Sequence, residues 1–198
     1  MINAGVKEVL VVTGGPYAGH FLRVLKNGKE LGLKHLEFAY QEGEGGIADA
    51  LGLAQDFADG GNSCVILGDN CTDADISKSV KTFKSGAMIF LKKVSDSQRF
   101  GCPIFDKNKN IIKIEEKPKK PKSDLAVTGL YIYDNTVFDK IKKLKPSARG
   151  ELEVTDLNNQ YLKEGKLSCS RLNGYWSDAG TFESLFEVSK YWKKKLIK

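Results

Sequence analysis

A chain of 198 residues, 41% hydrophobic and 28% charged, has the size of one globular domain and enough apolar material for a sizeable core. Its longest apolar runs fall far short of a membrane span, no signal-peptide pattern opens it, and its four cysteines contain no CxxC pair. The net charge of +6 is carried by lysine clusters at 117–122, 140–145 and 190–198 with few arginines, a pattern of solvated surface rather than of a nucleic-acid patch.

These properties predict a cytoplasmic protein with reduced thiols, no membrane or nucleic-acid partner, and a mild preference for anionic small ligands. His20 and His35 are not at ligand spacing, so a zinc site is not expected.

In chain order, residues 1–6 read as the last turn of a helix closed at Gly5. Residues 8–13 form a β-branched strand, and Gly14-Gly15-Pro16 turns into a helix running through Leu25. A strand at 35–41, a helix at 46–58, a strand at 63–69, a helix at 74–84 and a strand at 87–94 follow. This alternation predicts the α/β class, with a Rossmann-like, mostly parallel sheet flanked by helices.

The second half changes character. Residues 100–105 and 111–116 read as a hairpin around Asp106-Lys107-Asn108-Lys109-Asn110, and 119–122 as an exposed loop. Residues 125–133 form a buried strand, 136–143 and 155–164 form helices with Thr155 as an N-cap, and 167–172 form a strand. Thr181 opens a final helix to about 196, with Asp178 and Thr181 favoured as a polar turn over a Thr181–Ser184 capping box. Residues 1–198 contain no repeat or linker and read as one domain.

The chemistry gathers at strand ends. Cys64-Val65-Ile66-Leu67 stops at Gly68-Asp69-Asn70, which alone is a turn but here puts a carboxylate where open α/β sheets bind ligands. A second carboxylate, Asp178, lies in Trp176-Ser177-Asp178-Ala179-Gly180-Thr181, and Ile114-Glu115-Glu116-Lys117-Pro118 leaves another strand. Two carboxylates and a lysine so placed point to a Mg²⁺ and phosphate site. Asp69 and Asp178 are expected to approach within about 4–6 Å. Glu116 and Lys117 alternate along an extended segment, so a turn or bulge at Pro118 must bring both to the cleft.

Together these stretches resemble the sugar-1-phosphate nucleotidyltransferases, in particular members that carry thymidylyl to glucose 1-phosphate. The matching motifs run in family order: Val9-Leu10-Val11-Val12-Thr13-Gly14, Tyr40-Gln41-Glu42 with Gly46-Ile47-Ala48, Leu67-Gly68-Asp69-Asn70, Arg99-Phe100-Gly101, Glu115-Glu116-Lys117-Pro118, Val127-Thr128-Gly129-Leu130-Tyr131, Ser147-Ala148-Arg149-Gly150-Glu151 and Trp176-Ser177-Asp178. The resemblance implies a nucleotide-diphospho-sugar transferase fold and two small-molecule substrates, a nucleoside triphosphate and a sugar 1-phosphate. It implies that Asp69 and Asp178 hold Mg²⁺, that Lys117 holds the sugar phosphate and that Arg149 contacts phosphate. Glu116 would bond sugar hydroxyls with backbone help from Gly101 and Val127, Gln41 would read a pyrimidine edge, and Gly46 would let the backbone approach the nucleoside. Relatives commonly form symmetric oligomers, so a homo-oligomer is a further expectation.

Three features depart from the family pattern. Glu44-Gly45-Gly46 lacks a usual proline, and Phe100 stands where many members have tyrosine. The family's opening strand and Gly-Gly-x-Gly-x-Arg loop have no counterpart, because Gly14-Gly15-Pro16-Tyr17-Ala18-Gly19 carries no arginine or lysine at the needed spacing. The chain is therefore expected to be an N-terminally truncated member, with strand edges left unpaired and little turnover alone. The alternatives are a non-catalytic sugar-phosphate or nucleotide-sugar binder, and a uridylyltransferase of the same fold.

Overall fold

A computed structural model describes residues 1–197; Lys198, the last lysine of the 190–198 cluster, lies outside the described residues. Ten strands and seven α-helices alternate: β1 (Glu8–Gly14), α1 (Ala18–Leu25), β2 (His35–Gln41), α2 (Ile47–Gly52), α3 (Gln55–Ala58), β3 (Ser63–Ile66), β4 (Asn70–Thr72), α4 (Ser77–Thr82) and β5 (Ala87–Lys93) come first. Then follow β6 (Gly101–Phe105), β7 (Ile111–Glu116), β8 (Leu125–Tyr133), α5 (Val137–Ile141), α6 (Val154–Lys163), β9 (Leu167–Arg171), β10 (Trp176–Asp178) and α7 (Phe182–Leu196). The opening turn is a short 3₁₀ helix closed by Gly5 at φ 93°, a left-handed position that glycine adopts without a Cβ penalty.

β8 is the axis of the main sheet, and all nine of its residues are buried. Its side chains alternate between two cores. Leu125, Val127, Tyr131 and Tyr133 join Ile89, Leu91, Val137, Phe138 and Leu157 beneath α2, α5 and α6, while Leu130 and Ile132 join Phe90, Ile76 and Trp176 on the other face. Period-2 alternation with both faces covered explains why this strand is apolar throughout.

The α/β class is as expected, but the sheet is mixed rather than mostly parallel. β3, β5 and β6 each run antiparallel to β8, β6 and β7 form the expected hairpin, and among the described residues only β5–β9 is parallel within the main sheet. β1 and β2 form a separate parallel pair joined through α1. Pairing direction is set by long-range contacts, which the local alternation of elements does not encode.

Smaller corrections have local causes. The helix expected at 46–58 breaks at Leu53 into α2 and α3, and the strand expected at 63–69 ends at Ile66. Thr155 is not a cap: Glu153 holds the N-cap position of α6, and the Thr155 hydroxyl is committed to Glu116. α7 does open with a capping box, in which Ser184 N–H donates to Thr181 Oγ1 at 3.1 Å and Ser184 Oγ accepts from Thr181 N–H at 3.1 Å.

Between β1 and β3 lies an open slot of about 910 Å³, lined by Val9, Val12, Leu51, Val65, Ile66 and Leu67 among others. Among the described residues β1 is hydrogen-bonded only to β2, and β3 only to β8, so each turns an edge away from its partner that no described strand pairs.

Candidate active site

Asp69 sits in the turn just past β3, whose Leu67 N–H donates to Gly129 O of β8 at 2.9 Å. The Asp69 carbonyl accepts from Ala179 N–H at 2.7 Å, which stitches this turn to the segment carrying Asp178. β4 and β10 pair antiparallel with Asp178 opposite Asn70. A Cβ placed on Gly180 would lie 3.4 Å from both Asp69 Oδ2 and Asp178 Oδ2, so the two oxygens are no further apart than twice that distance. Residues distant in sequence thus face each other across a glycine that leaves the space open.

Asn70 fixes this corner. Its Oδ1 accepts from Gly129 N–H at 3.0 Å and from Trp176 Nε1 at 2.7 Å, and its Nδ2 donates to Asp69 Oδ1 at 2.8 Å. Glycine at 129 leaves room for this amide, since a Cβ would lie 2.5 Å from Asn70 Nδ2 and force the side chain to shift. Trp176, buried in the smaller core, packs edge-on to Phe100 with ring centroids 5.3 Å apart.

Glu116, Gly101 and Val127 form one row. Gly101 is opposite Glu116 on β7 and opposite Val127 on β8, so the three residues singled out for the sugar share a single register across three strands. The Thr155 hydroxyl of α6 donates to Glu116 Oε2 and fixes the carboxylate. A Cβ on Gly101 would meet Thr155 Oγ1 at 3.3 Å, so glycine keeps the row tight against α6. The kink that re-aims the chain is at Lys117 itself, one residue before Pro118: its φ is 42°, and its N–H donates to Phe100 O at 3.1 Å. A left-handed non-glycine residue costs of order 1–3 kcal/mol, and such strain concentrates at functional sites.

Arg149 is not free. Its Nη2 reaches Glu153 Oε2 at 2.9 Å and Glu151 Oε2 at 3.5 Å, with side-chain exposure of 46%. The Glu153 bond raises the guanidinium pKa, and the charges of Glu153, Glu151 and Glu116 act in the same direction. Tyr131, buried in β8, has its phenol pushed up by burial and then by the charges of Glu116 and Asp69.

Gln41 and Gly46 line the other end, on the slot between β1 and β3. Gln41 Nε2 donates to Gly46 O at 3.0 Å and to Asp49 Oδ2 at 2.7 Å. Gly46 has a φ of 93°, and a Cβ there would strike Leu152 O at 2.8 Å. Its small size is thus required first by the 151–152 backbone, a reason that differs from approach to a nucleoside.

Sequence reasoning gave no role to two residues that the structure ties to the carboxylate pair. Arg99 Nη2 donates to Asp178 Oδ2 at 2.7 Å and its Nη1 to Asp96 Oδ2 at 2.9 Å. Asn70 is the hub described above. Both stand inside quoted motifs, so position beside Asp69 and Gly101 was the available signal. Hard carboxylate oxygens from two segments suit a divalent cation that fills its other positions with water and phosphate; among the described residues no group of three His, Cys, Asp or Glu forms a closed metal site. No helix among them is long and apolar enough to cross a membrane.

Comparison with known proteins fits this geometry. The nucleotidyl transferase family model matches residues 1–195. A glucose-1-phosphate thymidylyltransferase of Neisseria gonorrhoeae is 43% identical over 197 residues, covering 96% of this chain and 68% of that protein. One from Mycolicibacterium smegmatis is 39% identical with the same coverage. A solved Bacillus anthracis structure, provisionally assigned as a glucose-1-phosphate thymidylyltransferase and holding a sucrose, superposes with a TM-score of 0.89 at 45% identity, covering 96% of this chain and 78% of that one. A UDP-glucose pyrophosphorylase structure at 19% identity and TM-score 0.82 shares the fold.

Proposed function

Because this chain belongs to the nucleotidyl transferase family, we propose that it serves thymidylyl transfer, joining thymidine triphosphate and glucose 1-phosphate into dTDP-glucose with release of pyrophosphate. The observation that carries the reading is the approach of Asp69 and Asp178 over Gly180, with Asp178 bonded to Arg99 two residues before Gly101 of the Glu116–Gly101–Val127 row. The names of the relatives support the same substrates.

In this reaction an oxygen of the sugar phosphate attacks the α-phosphorus in line, and the bond from that phosphorus to the bridging α–β oxygen breaks. Two polyanions must meet, so alignment and charge neutralisation dominate the barrier. Asp69 and Asp178 would hold Mg²⁺, which when bound neutralises phosphate charge. Glu116, held by Thr155, accepts from sugar hydroxyls, with the backbone at Gly101 and Val127 as neighbouring partners. Lys117, re-aimed by its left-handed backbone, meets the sugar phosphate. Arg149 approaches phosphate with Glu151 and Glu153 fixing its fork, and Gln41 offers its amide to a pyrimidine edge.

We read residues 1–198 as one domain whose slot between β1 and β3 accepts a further apolar strand. The support is the pair of unpaired edges facing a common apolar space. The turn at Gly14-Gly15-Pro16-Tyr17 offers no cation to a triphosphate, so a loop that supplies one is expected to raise turnover. The assay is pyrophosphate release with Mg²⁺, run on the chain and on a form extended ahead of Met1 by a strand and a Gly-Gly-x-Gly-x-Arg loop. Release by the extended form that needs both thymidine triphosphate and glucose 1-phosphate supports the reading. Preference for uridine triphosphate would move the base assignment, and absence of release from the extended form would favour a binder over a transferase.

A further inference from the structure

Arg99 holds two carboxylates at once, and one of them belongs to the pair over Gly180. It closes the short 3₁₀ helix Ser97–Arg99, donates from Nη1 to Asp96 Oδ2 at 2.9 Å and from Nη2 to Asp178 Oδ2 at 2.7 Å, and keeps its guanidinium carbon 5.2 Å from the Phe100 ring centroid. Asp178 Oδ2 is the same oxygen that, together with Asp69 Oδ2, borders the space above Gly180. Two carboxylates in a confined site repel each other unless a cation stands between or beside them. In the structure that cation is Arg99.

We propose that Arg99 is a place-holder for the divalent cation, a positioning residue that occupies Asp178 until metal and phosphate arrive together. The proposal rests on the reading that Asp69 and Asp178 hold the metal. A divalent ion shared by the two Oδ2 atoms competes with the guanidinium for one oxygen and repels its charge, so its binding must loosen the Arg99–Asp178 pair. Arginine remains charged at any working pH, so the competition is not relieved by deprotonation.

The tether decides what happens next. Asp96 and the face of Phe100 hold the guanidinium after Asp178 lets go. The released fork therefore stays beside the site, in a geometry that matches a phosphate bidentately. The partial exposure of Arg99, at 38%, against 15% for Asp178 gives it room to move while the carboxylate stays fixed. The metal then binds weakly to the protein by itself and more tightly when an incoming phosphate draws Arg99 away, a coupling that is reciprocal by linkage.

Mn²⁺ stands in for Mg²⁺ in the test, with free Mn²⁺ followed by electron paramagnetic resonance on the 198-residue protein without nucleotide. Arg99→Gln should bind Mn²⁺ about fivefold more tightly than the parent, equivalent to about 1 kcal/mol at 1.4 kcal/mol per tenfold. A loosened or misfolded site cannot produce tighter binding, which separates this role from a structural one. Arg99→Lys, which keeps a cation but cannot span Asp96 and Asp178 together, should fall between the two and serves if the glutamine variant does not fold. Unchanged or weaker Mn²⁺ binding in the substituted protein overturns the place-holder role. Asp178→Asn separates the two layers: if it binds Mn²⁺ like the parent, the metal assignment itself fails, whereas if it loses Mn²⁺ and Arg99→Gln gains nothing, only the place-holder fails.

Discussion

β8 and β1 are both apolar strands flanked by helices, yet every residue of β8 is buried and no residue of β1 is. The difference is in partners. β8 has neighbours along both edges and a core on each face, whereas β1 has β2 on one edge, the open slot on the other, and a helix, α1, none of whose residues is buried. Tyr17, Phe21, Leu22 and Val24 remain exposed beside it. An apolar pattern thus specifies a strand, but burial requires that its edges be satisfied. The site reflects the same division: Glu116 and Gly101 hang from the well-partnered sheet, Asp69 and Asp178 from the turn after β3 and the β4–β10 pair that it leads into, while Gln41 and Gly46 sit at the border of the slot.

The sharpest contrast is energetic. Ile89→Ala, in the centre of the larger core, should cost about 2–5 kcal/mol through lost burial and a cavity. Val11→Ala in β1 should cost about 1 kcal/mol or less. Denaturant unfolding of both variants measures the pair, and equal losses would mean that β1 is as well packed as β5.

Gly129→Ala should come next, at about 1–3 kcal/mol, because the new methyl group collides with Asn70 Nδ2 and Leu67 Cδ1. Its effect should extend to the site, since Asn70 anchors Asp69: cation binding should fall more than the melting temperature alone explains. A loss of stability with intact binding would remove Asn70 from the account.

Hydrogen exchange reads the slot directly. Amides on the free edges of β1 and β3 should exchange far faster than those of β8, and the extended form with an added strand should slow them. Slow exchange on both edges of the unextended chain would show that the slot is already closed.

Much of this was legible from residues. The bounds of β8 and β2 match the spans read from the sequence, and the β6–β7 hairpin follows from Asp106 to Asn110, where Asp106 Oδ1 accepts from both Asn108 N–H and Asn110 N–H. The approach of Asp69 and Asp178 was readable from their places at strand ends together with motif order. The mixed sheet was not legible, because the antiparallel pairing of β3, β5 and β6 on β8 is decided by long-range contacts. Thr155 looked like a cap because nothing local announces that Glu116 will claim its hydroxyl. Arg99 was opaque for the same reason: its partner Asp178 is 79 residues away.

The smallest expected effect is at α7, whose attachment depends on Asp73. Hydrogen bonds from Lys195 and then Tyr191 hold that carboxyl down from 3.8 to about 2. A depressed pKa gives stability that is present above the ordinary value and lost as pH falls, here between about 4 and 2. Melting curves across that interval should show a loss that Asp73→Asn abolishes; the same loss in that variant would place the acid sensitivity elsewhere.

The central claim, that Asp69 and Asp178 share one divalent cation, is tested most directly by anomalous scattering from crystals soaked in Mn²⁺ and dTDP-glucose. The account predicts a peak over Gly180, bonded at about 2.1 Å to an oxygen of each carboxylate, with Arg99 withdrawn from Asp178. A peak bound to neither carboxylate, or no peak with the nucleotide sugar in place, would contradict it.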